Sequence, residues 1–342
     1  MRWFRWVHGV VVLGLAGALV GVAPDGVSAV PARARCRPTA FVTGGPVSTI
    51  DVKTRTKDPT DIAVVGAGVA VTPDGETAFV AQGTGDTVAA IDVKTKAKHP
   101  ADIPVGPLPF GMAITPDGKT VFVANNGNGT VSTVDVKTRT KDPDDIPVGT
   151  GPVGVAVTPD GKTAVVANNL GDTVSTIDVK TRTKNPTDIT VGAGPLGVAV
   201  TPDGKTAVVT NSGSGTVSTI DLKTRRKDPT DITVGSLPFG VAVTPDGKTV
   251  FVTNNGSGTV STIDLKTRTK HPSDITVGAN PKGVAVTPDS KTAFVTNANF
   301  GNVQEPTGDS VSTIDVKTRT KHPADITVGA QPVRIAVTPC RQ

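Results

Sequence analysis

The sequence predicts an all-β fold, a seven-bladed β-propeller with four antiparallel strands per blade, and a repeated phrase is the main reason. The phrase V-S-T-I-D, or a close variant, occurs seven times in the 342 residues. A second phrase, T-P-D-G, recurs with it, and successive copies lie 43 residues apart with two exceptions. A period of this length that holds several short strands is typical of a propeller. The aspartates that end the first phrase are Asp51, Asp92, Asp135, Asp178, Asp221, Asp264 and Asp315.

One repeat shows how a blade is built. Gly240–Thr244 is predicted as an apolar strand A, and Pro-Asp-Gly then makes a turn. Thr249–Thr253 is predicted as strand B and, after a Gly/Asn/Ser loop, Val260–Leu265 as strand C. A polar connection leads to strand D at Asp274–Gly278, whose exposed edge is guarded by a neighbouring proline and lysine.

The last blade is predicted to combine both ends of the chain. The folded part opens with a strand B at Thr39–Thr43 and ends with a strand A at Arg334–Thr338. Aligned with T-P-D-G, Cys36 and Cys340 both replace the turn aspartate, so they meet where a turn would otherwise join two strands. We therefore predict a disulfide between them, with a stabilisation of at most about 5 kcal/mol from loop entropy.

The first residues are typical of a secretory signal peptide rather than of the fold. Arg2 and Arg5 precede an apolar run at Val10–Ala23, which is short for a membrane span. Cleavage is expected between Ala29 and Ala34, which leaves open the exact site. The protein is therefore predicted to be secreted, extracellular or in the cell envelope, and it is expected to be a monomer. The predicted organisation is a signal peptide with a short leader at 1–34 and one propeller domain at 35–342.

A family resemblance follows from these phrases. The F-V-T-N of Phe251–Asn254 and Phe294–Asn297, followed by T-V-S-T-I-D and G-V-A-V-T-P-D-G, resembles the YVTN-type β-propeller repeat. Phenylalanine or valine here replaces the tyrosine that is usual in that family. The resemblance implies an exported propeller, and related propellers act as lactonases, as parts of redox enzymes or as surface-layer proteins. A shared fold does not choose among these functions.

Residues for catalysis are scarce. His99, His271 and His322 occupy one repeat position before proline, where other blades have Asp or Asn, so we interpret them as solvated turn residues. Glutamate occurs only at Glu76 and Glu305. No cluster has metal-ligand spacing, and no nucleophile has a neighbouring base. The sequence therefore predicts no catalytic residues, no metal and no cofactor, and an enzyme is the less favoured interpretation.

The basic residues are concentrated in K-T-R-T-K-like connections, which hold more than half of the 35 lysines and arginines. We expect the seven connections to emerge on one face as a cationic ring. Such a ring fits either a solvated surface or contact with an anionic cell-wall polymer. Aromatic residues for base stacking are missing from it, so specific nucleic-acid binding is not predicted.

Departures from the repeat indicate a binding site at one mouth of the central channel. The start of strand A varies between blades, and an arginine replaces glycine there in the last blade. The stretch from Asp61 to Thr72 is two residues short, and Asn299–Asp309 carries eight extra residues. Neutral drift in loops is the alternative. The predicted binding residues are Phe110, Leu196, Phe239, Asn280, Lys282, Phe300, Gln304, Glu305, Gln331 and Arg334.

The sequence favours an exported, non-catalytic binding or scaffold propeller, with a protein or small-molecule ligand at this mouth. The alternative is a lactonase-like or lyase-like propeller enzyme that uses a bound divalent metal. The sequence identifies neither the ligand nor the partner, and it does not distinguish wall attachment from free secretion.

Overall fold

Seven antiparallel blades surround a central channel in the computed structural model, which describes residues 38–298 and 309–339. The innermost strand of each blade contacts those of both neighbours, and the last of these strands contacts the first. The ring is therefore closed, and the described residues form no helix. The predicted fold class is confirmed.

Each blade is described from the channel outward as strands A, B, C and D, with D often in two short pieces. Blade 1 has β5 (Gly68–Val71), β6 (Thr77–Gln82), β7 (Thr87–Asp92) and β8 (Ile103–Pro104). Blade 2 has β9 (Pro109–Ile114), β10 (Thr120–Asn125), β11 (Thr130–Asp135), β12 (Thr140–Lys141) and β13 (Ile146–Pro147). Blade 3 has β14 (Pro152–Val157), β15 (Thr163–Asn168), β16 (Thr173–Asp178), β17 (Thr183–Lys184) and β18 (Ile189–Thr190). Blade 4 has β19 (Pro195–Val200), β20 (Thr206–Asn211), β21 (Thr216–Asp221), β22 (Arg226–Lys227) and β23 (Ile232–Thr233).

The remaining blades follow the same order. Blade 5 has β24 (Pro238–Val243), β25 (Thr249–Asn254), β26 (Thr259–Asp264), β27 (Thr269–Lys270) and β28 (Ile275–Thr276). Blade 6 has β29 (Pro281–Val286), β30 (Thr292–Asn297), β31 (Ser310–Asp315), β32 (Thr320–Lys321) and β33 (Ile326–Thr327). Blade 7 has β34 (Arg334–Val337), β1 (Thr39–Thr43), β2 (Pro46–Asp51), β3 (Thr56–Lys57) and β4 (Ile62–Val65).

The T-P-D-G turn is fixed by its own side chains. In blade 3, the Thr158 hydroxyl donates to Asp160 Oδ1 at 2.6 Å and accepts from the N–H of Thr163 at 3.0 Å. Gly161 has a φ of 69°, a left-handed conformation that glycine adopts without steric cost. The phrase therefore encodes a tight connection between strands A and B.

The outer strand is shorter than the sequence predicts. Strand D of blade 5 was expected at 274–278, but β28 has only two residues, and β27 pairs with the other end of β26. Pro272 lacks an N–H and interrupts the ladder between the two pieces. Side chains bridge this gap, since Ser261 Oγ donates to Asp274 Oδ1 at 2.8 Å and Lys270 Nζ lies 2.7 Å from the same oxygen.

The hydrophobic core lies between blades rather than within them. In one cluster, Phe79 and Val88 of blade 1 pack with Val121 and Val123 of blade 2, and all four side chains are fully buried. Equivalent clusters fill the other junctions. Because strands B and C face a neighbouring blade on both sides, they are apolar or small-polar without alternation.

Blade 7 is built from both ends of the chain, as predicted. Strand β34 pairs antiparallel with β1, so that Thr43 faces Arg334 and Ala40 faces Val337. The N–H of Thr338 then donates to the carbonyl of Thr39 at 2.9 Å. Cys36, Cys340 and the predicted signal peptide lie outside the described residues, so the disulfide and the cleavage site stay predictions. No helix of the described part is long and apolar enough to cross a membrane.

Candidate functional site at the channel mouth

A ring of glycines lines the channel just inside one mouth. Each glycine lies at the start of strand A, in five of the six blades as the third residue of P-x-G, and the blades approach so closely that a Cβ would collide with the next blade. A Cβ on Gly111 would lie 2.0 Å from the carbonyl oxygen of Val153, and one on Gly154 would lie 2.3 Å from that of Leu196. The glycines are therefore required by inter-blade packing. They are Gly68, Gly111, Gly154, Gly197, Gly240 and Gly283.

Arg334 occupies the seventh position of this ring, and its side chain enters the channel. The guanidinium carbon lies 4.9 Å from the ring centroid of Phe239 and 5.6 Å from that of Phe110. Phe110 belongs to blade 2 and Phe239 to blade 5, two blades away from Arg334 on either side. The arginine is therefore held between two aromatic rings in cation–π contact.

A small cavity adjoins the arginine. It has a volume of about 90 Å³ and is lined by four ring glycines, by five apolar residues of the A strands and by Arg334. Arg334 thus contacts both the cavity and the phenyl rings of the mouth. Burial lowers the pKa of Arg334 to about 10, and at neutral pH the side chain is still charged.

Lys282 adds a second cation at the mouth. It is partly buried at the position equivalent to Phe110 and Phe239, in the blade next to Arg334. Its pKa is lowered, first by burial and then by the charge of Arg334, while Asp309 opposes the shift. The predicted residues Phe110, Phe239, Lys282 and Arg334 therefore converge on one site.

Leu196 completes the apolar wall on the side of the mouth away from Arg334. It occupies the variable position of blade 4, next to Val153 of blade 3, and it is partly buried. The mouth therefore pairs an apolar wall with a cationic side, as the sequence indicates. The sequence did not indicate that the arginine would extend as far as the two phenylalanines.

Threonine hydroxyls fix the backbone on the cationic side, a feature that the sequence reasoning missed. Thr253 Oγ1 of blade 5 accepts from the N–H of Gly240 at 2.8 Å and donates to the carbonyl of Lys282 in blade 6 at 2.6 Å. Thr296 accepts from the N–H of Gly283 at 2.7 Å in the same way. Blades 1 to 3 have alanine at this position. The sequence contains this difference, because blades 5 and 6 read F-V-T-N where blades 2 and 3 have V-A-N.

Asn280 and Gln331 shape the turn before strand A through their backbone conformation. Their φ angles are 46° and 51°, and Leu108 and Leu237 at the same position have 50° and 48°. The other two residues at this position are glycines with positive φ. The variation that the sequence singled out here is thus a turn that needs a left-handed residue, which asparagine adopts readily. Phe300, Gln304 and Glu305 lie outside the described residues.

The rim of the same face carries the exposed large apolar side chains of the described chain. Leu108 and Leu237 are each 51% exposed and precede strand A in blades 2 and 5, next to the two phenylalanines. Leu170, in the loop between β15 and β16, is 72% exposed. Val65, at the end of β4, is also exposed. Leu108 and Leu237 extend the apolar surface of the mouth outward.

On the opposite face, the predicted cationic ring is largely neutralised. The last lysine of every K-T-R-T-K-like connection lies within 2.8 Å of an aspartate four residues later, as Lys141 does with Asp145. The central arginine or lysine can reach the previous blade, as Arg182 does with Asp142 at 2.6 Å. Electrostatic attraction of an anionic polymer to this face is correspondingly weakened.

Of the three histidines, His271 contacts the next blade in addition to lying in its turn. His271 Nε2 is 2.7 Å from Nη2 of Arg319 in the next blade. In the equivalent blade 4 position, Asp228 pairs with Arg268 at 2.6 Å and accepts from the Thr219 hydroxyl at 2.7 Å. Thr262 is the equivalent threonine in blade 5. Its buried hydroxyl has no hydrogen-bond partner, so His271 does not replace the contact that Asp228 makes with Thr219.

A larger groove exists, but repeat residues line it. It has a volume of about 580 Å³ at the junction of blades 4 and 5, and its lining includes Asp203, Asp246 and Lys248 of the T-P-D-G turns. The same residue types recur in other blades, so nothing singles this junction out. Within residues 38–298 and 309–339, no three His, Cys, Asp or Glu side chains are grouped to hold a metal.

Comparison with solved structures supports the fold. A hydrazine synthase from Kuenenia stuttgartiensis is 25% identical over 79% of this chain and 88% of its own, with a TM-score of 0.68. A candidate 6-phosphogluconolactonase from Bacteroides uniformis is 18% identical over 89% of this chain and 100% of its own, with a TM-score of 0.72. A second candidate 6-phosphogluconolactonase, from Bacteroides fragilis, is 19% identical over 88% and 98%, with a TM-score of 0.71. No protein-family model matches the chain, and no curated protein matches it significantly. The chain thus has the architecture of a seven-bladed β-propeller.

Proposed function

We propose that this protein is an exported, non-catalytic binding propeller of the YVTN type, whose ligand or protein partner binds at the channel mouth. The observation that carries the proposal is the placement of Arg334 between Phe110 and Phe239. Six equivalent positions hold glycine, so this charge breaks the symmetry of otherwise similar blades at one point. A concave site with apolar walls and a few polar groups is typical of ligand binding.

A capture experiment with a double variant tests the site. The mature protein is immobilised and exposed to cell-envelope extract, and bound proteins and small molecules are identified by mass spectrometry. We expect a specific partner for the wild type and its loss in Lys282→Ala plus Arg334→Ala. The matched control, Lys162→Ala plus Lys205→Ala, removes two exposed lysines from T-P-D-G turns and should retain the partner. Equal capture by both double variants would contradict the proposal.

Export is tested at the N-terminus. We expect the protein in the culture medium or envelope fraction to begin between residues 30 and 35, since the predicted cleavage lies between Ala29 and Ala34. N-terminal sequencing of the recovered protein measures this. Recovery of an uncleaved chain from the cytosol alone would exclude the exported role.

A lactonase-like enzyme is the second candidate function. Two observations favour it: the solved propellers described as candidate 6-phosphogluconolactonases share this architecture, and two cations at the mouth suit an anionic sugar lactone. Hydrolysis of a panel of sugar lactones, with metal analysis of the purified protein, tests it. Stoichiometric metal and turnover that disappears in Arg334→Gly would replace the binding role with catalysis.

A further inference from the structure

The guanidinium of Arg334 lacks a polar partner within the described chain. No hydrogen bond or ion pair reaches its side chain from residues 38–298 or 309–339, and its Nε is buried without an acceptor. The two phenyl rings lie against it but accept no conventional hydrogen bond. A buried charge without hydrogen bonds is costly, and such groups are usually paired in a folded protein. The site is therefore built to present hydrogen-bond donors in the channel.

The electrostatic setting favours an anion. Lys282 and Arg334 carry like charges close enough to affect each other, in surroundings that partly desolvate both. Asp309 acts against this repulsion, and burial is the largest cause of the lowered pKa of Lys282. An anion next to Arg334 would counter the repulsion and accept hydrogen bonds from donors that no residue of 38–298 or 309–339 engages. A planar guanidinium binds carboxylates through two parallel hydrogen bonds.

The dimensions restrict which anion fits. The cavity beside Arg334 measures about 90 Å³, whereas one water molecule takes about 30 Å³ of liquid, so only a small head group can enter. The rest of a ligand would have to lie at the mouth. There it meets Phe110, Phe239 and Leu196 on the wall and the exposed Leu108 and Leu237 on the rim. These surfaces suit an apolar body better than a sugar.

From this geometry we infer that the mouth binds a small carboxylic acid with an apolar body, with the carboxylate on Arg334 and the apolar part against Phe110 and Phe239. This inference rests on the proposed binding function and names the chemical class of its ligand. A phosphate head group is larger than a carboxylate, and the cavity beside Arg334 holds only about 90 Å³. Carboxylate rather than phosphate is therefore the favoured anion.

Isothermal titration calorimetry with three probes of equal chain length tests the head group. The probes are octanoate, octyl phosphate and octan-1-ol, each titrated into the mature protein at pH 7 and moderate salt. We expect octanoate to bind at least ten-fold more tightly than the other two. Binding of octyl phosphate as tight as that of octanoate, or no binding of octanoate at millimolar concentration, would overturn the inference.

Two variants that restore the repeat sequence test whether Arg334 is the residue that binds the carboxylate. Arg334→Gly gives the residue of the six other blades, and Arg226→Thr gives an exposed arginine of blade 4 the threonine that five of the six other blades have. Both remove one positive charge. We expect Arg334→Gly to weaken octanoate binding at least ten-fold and Arg226→Thr to change it less than two-fold. A thermal melt confirms that both variants fold, and Arg334→Lys, which keeps the charge but not the bidentate geometry, should be intermediate.

Equal weakening by Arg334→Gly and Arg226→Thr would show a general charge effect and overturn the assignment. The outcome is separable from that of the proposed function. If the envelope partner is still lost in the mouth double variant while octanoate does not bind, the ligand class is wrong and the binding role stands. If neither partner nor octanoate depends on the mouth, both fail.

Discussion

The hydroxyl of Thr253 donates to the carbonyl of Lys282 in the next blade at 2.6 Å, and it accepts from the N–H of Gly240 at 2.8 Å. One fully buried side chain therefore ties strand A of its own blade to the mouth of its neighbour. This contact positions a cation of the candidate site, and it explains why threonine matters at a place where three blades have alanine.

Thr253→Ala should destabilise the protein by about 1–3 kcal/mol, because two buried backbone groups lose their partner. Denaturant unfolding followed by circular dichroism measures the change. Thr253→Ser keeps the hydroxyl and should lose clearly less. If alanine and serine cost the same, the lost methyl group rather than the hydrogen bonds would be responsible.

His271→Asp should stabilise the junction of blades 5 and 6 by about 1–2 kcal/mol at neutral pH. The aspartate would pair with Arg319, as Asp228 pairs with Arg268, and it would accept from the unpartnered hydroxyl of Thr262. The reverse change, Asp228→His, should destabilise by a similar amount. Thermal unfolding of both variants beside the wild type measures this, and a change of the same sign in both would contradict the stabilising role of the aspartate at this junction.

Acid should destabilise the propeller through the aspartates that end the V-S-T-I-D phrases. Hydrogen bonds from the N–H and hydroxyl of Thr138 lower the pKa of Asp135 below its ordinary 3.8, and equivalent threonines do the same in other blades. The lowered pKa means that the stabilisation is complete above the unfolded value and is lost as the pH falls through the folded one.

We therefore expect the Tm to be nearly constant from pH 7 to pH 5 and to fall progressively below about pH 4. Differential scanning calorimetry at constant ionic strength measures the profile. Replacement of several of these aspartates by asparagine should lower the Tm at pH 7 and flatten its dependence on acid. A Tm that rises on acidification would contradict the assignment.

Reduction of the predicted Cys36–Cys340 disulfide should lower the Tm without preventing folding. The stabilisation is at most about 5 kcal/mol for so long a loop, and the pairing of β34 with β1 persists without it. Mass spectrometry after alkylation, without reduction, measures the thiols, and calorimetry with and without reductant measures the Tm. Two free thiols in exported protein would remove the premise.

The number of blades and the closure of the ring can both be predicted from the sequence, because they follow from counting the copies of each strand in the repeat. Within residues 38–298 and 309–339, no strand B follows the copy of strand A at Arg334–Val337, and no strand A precedes the copy of strand B at Thr39–Thr43. The structure pairs them. The outer strand was less predictable, since Pro272 interrupts a ladder whose two halves are only two residues long.

The candidate site could be predicted in place but not in detail. Arg334 stands out because it replaces a repeat glycine, and that alone locates it in the channel. Its contacts with Phe110 and Phe239 depend on how far a long side chain reaches across a ring, and spacing along the chain does not contain that distance. The pairing of His271 with Arg319 was hidden for the same reason, since the partners are 48 residues apart.

The shared construction of blade 7 also constrains how the molecule assembles during synthesis. Strands β1 to β4 leave the ribosome first, yet their innermost partner, β34, is made almost last. Until Val337 has been synthesised, blade 7 lacks its innermost strand, and the ring cannot close. The ring can therefore close only after translation has reached β34, whichever of the other blades have already formed.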